Sequence, residues 1–599
     1  MGAMNAENTN SNHVHPMDLL LVVVLCIAFF GYRLGSFVPL TDHEGYVAVT
    51  AQETLEGHWL IPYYDGQIRL QKTPLMYWSV AGLATIFDRL DEIIIRLPSA
   101  LAASGIAIFL TILGARMFTR VTGVMIGLAM VGSTGMLWQS HVGTADMLMS
   151  FFVVACMAFV YFALVRIEEG RSEFWNLVLA YVTFGLAMLA KGPVPVIAVL
   201  IPLFVYLVWA GLANRWEKVD SPIAFLGAIF SGFWGYLKKI HLLPGLVIVL
   251  AIIGAWVVPV LVQLPDAYYR WKAEYFERYL GDFGTERAWW YYLPQIFLLT
   301  LPWSVFLPVG LLLPFRRALK GKRHELMFLF MWLVVGFVLF SISGGKRAHY
   351  ILPILPPAVM LSVAGMIYAL EHWLSWRTVL VGSAVVIIVT ILGFGLSFSW
   401  VKERYSNISE YYRILAIILV FAELLAMLVY FRLNLLAAVT VISLTAGIIF
   451  AMVWPLVPRV MDSAHDPKPA AERIRQIVGS NATIYFIGKA QGPLIFYYGR
   501  KMPQILEDQE VVEVFKSKNA RQAMLDLQVR MAERAVDLIR RPECVYFITS
   551  DVHFPVAQAY ARRAGAQIYE ILRIPRFFSE DKGMVLFSNC AKPARTGNR

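Results

Sequence analysis

Long apolar runs separated by short polar breaks dominate the chain from residue 17 to residue 456. Thirteen of them predict membrane-spanning helices, near 17–35, 96–116, 121–138, 147–165, 174–190, 193–212, 243–264, 292–314, 326–343, 350–370, 378–399, 411–431 and 433–456. Such lengths match what a bilayer's hydrocarbon core asks of a helix. The shorter stretch PLMYWSVAGLATIF (74–87) predicts a helix lying along the membrane surface. After residue 456 the texture changes. ATIYFIG (482–488), CVYFITS (544–550) and MVLFSN (584–589) predict short buried strands, while KPAAERIRQIVG (468–479) and PVAQAYARRAG (555–565) predict helices. That alternation suggests a small α/β domain with its own core. The expected organisation is an all-α polytopic membrane protein: a disordered polar tail over 1–16, a membrane domain over 17–456 with a first outer loop at 36–95, and an α/β domain over 457–599. The run at 17–34 reads as a retained anchor, not a cleaved signal.

Composition agrees. The 599 residues are 58% hydrophobic and 16% charged, with a mean hydropathy of +0.61; a soluble protein is about 45–50% apolar and about 25% charged. The net charge of +11 does not call for nucleic acid, because Lys and Arg gather at lipid headgroups. Four cysteines without CxxC spacing argue against a zinc ribbon or a redox motif. Cys544 and Cys590 both fall in the C-terminal domain, and their pairing is left open by sequence.

Thirteen spans would put the termini on opposite sides. The Lys/Arg tally is close to even: FRRALKGKRHE (315–325) and the loop at 213–242 mark one side, while Arg69, Lys72, Lys272, Arg278, Lys346 and Arg404 fall on the other. The polar features separate more clearly. The Asp42–Lys72 segment, Asp146, Lys191, the 265–290 loop, GGKRAHY (344–350) and the C-terminal domain share one face. This segregation predicts one aqueous site at one membrane boundary, and not a conduction path with ionisable groups at mid-bilayer. Glu423 is an exception for which the sequence offers no account.

The candidate catalytic residues are Asp42 and Asp146, and the candidate phosphate-binding residues are Lys72, Arg278, Lys346, Tyr350 and Lys191. Lysine supplies a point charge and arginine a planar fork matched to phosphate oxygens. A carboxylate can orient an acceptor or stabilise an oxocarbenium-like sugar. Plainer readings stand beside these. Asp42 and Asp146 suit helix caps, Lys72 suits a snorkelling interfacial lysine, Lys191 can simply end a span, and Arg278 sits in RWKAEYFERYL, which suits a solvated amphipathic helix. His43 and Glu44, with His58 nearby, are candidate ligands of a divalent metal, though without a tight repeat spacing.

The first-loop acid followed by QKTPLMYW (71–78) resembles membrane glycosyltransferases of the GT-C, protein-O-mannosyltransferase-like superfamily. LAKGP (189–193), WWYYLPQIFLLTLPW (289–303) and GGKRAHYILPILPP (344–357) are similar to segments of bacterial 4-amino-4-deoxy-L-arabinose lipid A transferases. The resemblance implies transfer of aminoarabinose from undecaprenyl phosphate to a lipid A phosphate at the periplasmic face of the inner membrane, by single-displacement inversion, giving resistance to polymyxin. The expected assembly is a monomer among membrane lipids, with no required metal and no nucleic acid partner. By motif position the resemblance assigns Asp42 as the first acid, Lys72 as the first-loop lysine, and Arg278, Lys346 and Tyr350 as phosphate contacts. Two departures touch the sugar assignment. The family pattern has Glu directly after its acid and Arg three positions after it, where this chain has His43 and Gly45; Gln71 stands where the pattern often has Glu. A related enzyme moving a uronic acid or hexose to lipopolysaccharide or protein, or a polyprenyl-lipid transporter, is the alternative.

Overall fold

In the computed structural model the described residues are 13–35, 38–213, 234–236, 238–272, 274, 287–404, 409–457, 466–479, 482–488, 491–505, 520–574 and 583–591. The tail over 1–12, most of the basic 213–242 loop and Arg278 lie outside them.

The first half runs α1 (Pro16–Phe30), α2 (Asp42–Leu55), β1 (Tyr63–Tyr64), β2 (Gln67–Ile68), α3 (Leu75–Phe87), α4 (Glu92–Met117), α5 (Arg120–Val131), α6 (Thr134–Gln139), α7 (Ala145–Glu168), α8 (Phe174–Lys191), α9 (Ile201–Ala213) and α10 (Leu242–Gln263). It continues through α11 (Ala267–Lys272), α12 (Tyr292–Leu299), α13 (Leu307–Leu312), α14 (Arg323–Ile342), α15 (Leu355–His372), α16 (Trp376–Arg404), α17 (Ser409–Arg432) and α18 (Leu435–Val453). Every predicted span falls on helix, but the number able to cross a bilayer is smaller than thirteen. Among the described residues ten helices are long and apolar enough, or eleven if the pair Trp289–Leu299 and Trp303–Phe315, bent by 115°, counts as one. Pro302, which has no N–H to continue a helix, stands at that break. The predicted spans at 17–35 and 121–138 correspond to apolar helices of only 15 and 12 residues, α1 and α5.

Burial divides the spans. The apolar stretch of the Ala348–His372 span is 94% buried, whereas that of Trp376–Glu403 is 0% buried and that of Ser409–Arg432 is 11% buried. The last spans therefore expose apolar side chains around their circumference, as lipid contact allows. Glu423 is half-buried between two of them and accepts a hydrogen bond from Thr390 at 3.0 Å.

The C-terminal region holds α19 (Pro467–Val478), β3 (Ile484–Ile487), α20 (Gly492–Tyr498), α21 (Ala520–Ile539), β4 (Tyr546–Ser550), α22 (Phe554–Arg563), β5 (Tyr569–Ile574) and β6 (Met584–Ser588). The strand order is β3-β4-β6-β5, parallel between β3 and β4 and antiparallel elsewhere. Three strands and two helices coincide with the sequence reading; β5, α20 and α21 were not anticipated. Alternation along the strands gives the sheet two apolar faces. Phe547, Val585 and Phe587 pack with Ile539 and Phe554. On the other face Phe486, Ile548 and Leu586 pack with Ile474 and Leu494, and also with Val49 of α2 and Tyr64 of β1. The C-terminal sheet and the first outer loop thus share one core. Cys544 and Cys590 are joined by a disulfide.

Candidate active site

The helix that opens the site starts with the sequence Thr-Asp-His-Glu. Thr41 is the N-cap of α2, and Glu44 returns its carboxylate to the Thr41 N–H at 2.9 Å. This capping box satisfies two backbone donors at the helix end. It makes Asp42 the first helical residue and not the cap. Glu44 is 1% exposed. Its Oε1 accepts from Arg96 Nε at 2.7 Å and from the Gly143 N–H at 2.9 Å. Glu44 therefore points into the protein, joining α2, α4 and the turn before α7. Its two oxygens are engaged by Arg96, Gly143 and Thr41, and among the described residues no group of three His, Cys, Asp or Glu side chains converges beside His43.

The next device is a hairpin. Tyr63 pairs with Ile68 and Tyr64 with Gln67. Asp65 and Gly66 have φ of 56° and 78°, the left-handed conformations that an Asp-Gly turn supplies. Asp65 is 2% exposed, and its Oδ1 accepts from the Met502 N–H at 2.7 Å. Glu53 of α2 accepts from the Gly66 N–H at 2.9 Å. Hairpin, helix and C-terminal domain are thereby tied together. Burial pushes the Asp65 carboxyl up to about 7 despite that hydrogen bond.

Between these elements lies a cavity of about 400 Å3. His43 and Tyr46 come from α2, Arg69 and Lys72 from the segment after β2, Asp146 from α7, Lys191 from the end of α8, Glu274 from two residues beyond α11, and Arg347, His349 and Tyr350 from the segment before α15. Asp146 and Lys191 are both buried and form an ion pair. The Lys191 ammonium sits 4.4 Å from the centre of the Tyr350 ring, within cation–π range. Thr144, not Asp146, is the N-cap of α7. Lys72 pairs with Glu274 at 2.5 Å. His43 contacts Arg347, and its ring centre lies 6.3 Å from that of His349. Withdrawal from bulk water, then the charges of Arg347 and its neighbours, push the His43 imidazole down to about 3, so it is neutral at physiological pH.

Of the sequence candidates, the fold brings Lys72, Asp146, Lys191, Tyr350 and His43 into one lining. Asp42 is half-buried and outside that lining, one helical turn before Tyr46, which belongs to it. Lys346 is also elsewhere: it is 5% exposed and donates to the Arg287 carbonyl at 3.2 Å, fixing the backbone at the foot of α12. The three-cation cradle expected from Lys72, Arg278 and Lys346 is thus not formed by Lys346, and Arg278 lies outside the described residues. Sequence reasoning missed Arg69, Glu274, Arg347 and His349. The Asp-Gly turn at 65–66 was the available signal for a hairpin delivering Arg69.

Residues 71–234 match the family model described as dolichyl-phosphate-mannose-protein mannosyltransferase. An undecaprenyl phosphate-alpha-4-amino-4-deoxy-L-arabinose arabinosyl transferase of Pseudomonas fluorescens is 27% identical over 352 residues, covering 57% of this chain and 55% of that protein. A relative of the same description from Proteus mirabilis is 28% identical, with 59% and 60% covered. The chain thus spans little more than half the length of these relatives. The crystal structure of ArnT from Cupriavidus metallidurans bound to undecaprenyl phosphate superposes with a TM-score of 0.74 at 19% identity, over 97% of this chain and 99% of that one. The chain accordingly has the GT-C membrane glycosyltransferase fold in the form that ArnT takes, and in sequence it resembles the undecaprenyl phosphate-aminoarabinose arabinosyl transferases.

Proposed function

We propose that the protein is an integral membrane glycosyltransferase moving 4-amino-4-deoxy-L-arabinose from undecaprenyl phosphate to a lipid A phosphate. The observation that carries this reading is the charge of the cavity: Arg69, Lys72, Lys191 and Arg347 stand against Asp146 and Glu274, with His43 neutral. Such a lining suits anionic phosphates better than a neutral acceptor. The names of the relatives supply the sugar and its carrier; the acceptor is inferred from the chemistry of that family.

In the reaction, an ionised oxygen of the acceptor phosphate attacks C1 of the sugar. The bond from C1 to the undecaprenyl phosphate oxygen breaks, and its electron pair leaves on that phosphate. No proton has to move, because a lipid A phosphate is already ionised near neutral pH. One displacement inverts C1. Lys72 neutralises charge developing on the leaving phosphate. Asp146 offsets positive character on the sugar, its carboxylate fixed by Lys191, which is itself held over the Tyr350 ring. Asp42, half-buried one helical turn before Tyr46, orients the incoming lipid. Side-chain cations supply the neutralisation a divalent metal would otherwise give, so no metal is required. Most of the rate enhancement then comes from holding two lipids in line.

The reading places the protein in a bacterial inner membrane as a monomer, with the cavity and the C-terminal domain at the periplasmic face. The Cys544–Cys590 disulfide supports that side, since disulfides persist in oxidising compartments. Capping lipid A phosphates with an amine-bearing sugar would reduce the surface's negative charge and confer resistance to polymyxin. Mass spectrometry of lipid A from cells with and without the protein tests this: an aminoarabinose-bearing species should appear only with it. Identical lipid A in both would reject the proposed acceptor and sugar.

A further inference from the structure

Arg69 is held in an unusual way for a residue without an ionic partner. Its guanidinium carbon lies 4.1 Å from the centre of the Tyr46 ring and 5.4 Å from that of Tyr64. Its Nε donates to the Tyr77 hydroxyl at 3.2 Å. Its backbone N–H donates to the Pro62 carbonyl at 2.8 Å, continuing the hairpin pairing. Position and plane of the fork are therefore set by three tyrosines from α2, β1 and α3. Yet the terminal nitrogens of Arg69 have no acceptor among the described residues, and Arg69 lines the cavity. The cavity's two carboxylates are engaged by other cations, Asp146 by Lys191 and Glu274 by Lys72.

Resting on the proposed transfer, we infer that Arg69 is a preorganised phosphate clamp. The proposed reaction brings two phosphates to one carbon, the leaving phosphate of the donor and the attacking phosphate of the acceptor, and these repel each other. Lys191 is paired with Asp146, and Lys72 shares its charge between Glu274 and the leaving phosphate. Arg69 offers a planar fork, aimed and free of internal carboxylates, that can take a phosphate through two parallel hydrogen bonds. Aromatic faces on the guanidinium limit its side-chain freedom before the ligand arrives, so less entropy is lost on binding. The C-terminal domain contributes through the hairpin: Asp65 holds the turn to Met502, and the hairpin delivers Arg69.

The test uses the full-length protein in detergent, with undecaprenyl phosphate and lipid A as separate binding probes, and does not depend on turnover. Arg69→Gln should weaken binding of one probe by roughly tenfold to a hundredfold, the scale of a charge-assisted hydrogen bond, while leaving the other within about twofold and thermal unfolding unchanged. Weakened undecaprenyl phosphate identifies the leaving phosphate; weakened lipid A identifies the attacking one. Arg69→Lys should not rescue, because a compact ammonium cannot present a planar fork. Tyr77→Phe, which removes only the Nε acceptor, should weaken the same probe by a smaller factor; it carries the test if Arg69→Gln fails to fold. Unchanged affinity for both probes, or full rescue by lysine, would overturn the clamp. Absence of sugar transfer by a wild-type protein that binds the probes in an Arg69-dependent way would instead reject the proposed function and leave the clamp standing.

Discussion

Gly45 of α2 and Gly492 at the start of α20 lie backbone against backbone. A Cβ placed on Gly45 would fall 2.3 Å from Cδ of Pro493, and one on Gly492 would fall 2.5 Å from the Gly45 carbonyl carbon. Gly45 is helical and needs no unusual φ; it is glycine because the C-terminal domain comes too close for a side chain. His43 and Tyr46 flank it and line the cavity. Gly45→Ala and Gly492→Ala should each destabilise the docked arrangement by about 1–3 kcal/mol, the usual cost of overpacking, and lower transfer. Thermal unfolding together with a transfer assay checks this. Wild-type stability and activity in either variant would contradict the contact.

Glu44 offers a contrast with the metal reading of the same segment. Removing one partner of a buried pair leaves an uncompensated charge and costs about 3–5 kcal/mol. Glu44→Ala should therefore lower stability strongly, whereas chelators should leave wild-type transfer unchanged. Loss of activity on chelation, restored by a divalent ion, would return the metal to the site.

Asp42 and Thr41 can now be separated. Thr41→Ala removes the cap and should cost about 1 kcal/mol of stability with modest loss of transfer. Asp42→Asn keeps size and leaves the cap intact, so it should preserve the melting temperature and remove most transfer. Near-normal transfer by a well-folded Asp42→Asn variant would show that this carboxylate has no part in the chemistry.

Asp65 makes the docked loop sensitive to pH. Its folded pKa of about 7 lies above the unfolded value of about 3.9. An acid whose pKa is raised on folding binds more protons in the native state. Its stabilising contribution is complete below about pH 4, falls as pH rises, and is lost once pH passes about 7. The full span is at most about 4 kcal/mol. Asp65→Asn keeps an oxygen to accept from the Met502 N–H and removes the titration. Thermal unfolding between pH 5 and pH 8 should fall more steeply with pH for the wild type than for Asp65→Asn; equal slopes would contradict the assignment.

Much of this arrangement was legible in sequence because it rests on local pattern. The apolar runs marked the helices, and β3, β4 and β6 stood out as short apolar strands. One-sided sorting of polar residues drew Lys72, Asp146, Lys191 and Tyr350 together before any geometry. What escaped depends on distant partners. Nothing near Glu44 announces Arg96, 52 positions away, and nothing near Lys346 announces the Arg287 carbonyl. Other features were visible but outweighed. Thr41 and Glu44 stand at capping-box spacing, which puts the cap one residue before Asp42, and the Asp65-Gly66 turn joins strands of only two residues each, too short for an alternating pattern to show. In β5, Glu570 and Arg573 interrupt the apolar pattern, which hid the strand.

The central claim is that this cavity joins a lipid-linked sugar to a lipid phosphate, and the most direct measurement follows both lipids with purified protein in detergent, where there is no second compartment to transport into. Given undecaprenyl phosphate-linked aminoarabinose and lipid A, the protein should release undecaprenyl phosphate and form aminoarabinosyl lipid A in equal amounts, with the configuration at C1 inverted. A folded protein that binds the donor yet forms no glycosylated lipid A and releases no undecaprenyl phosphate would contradict the account.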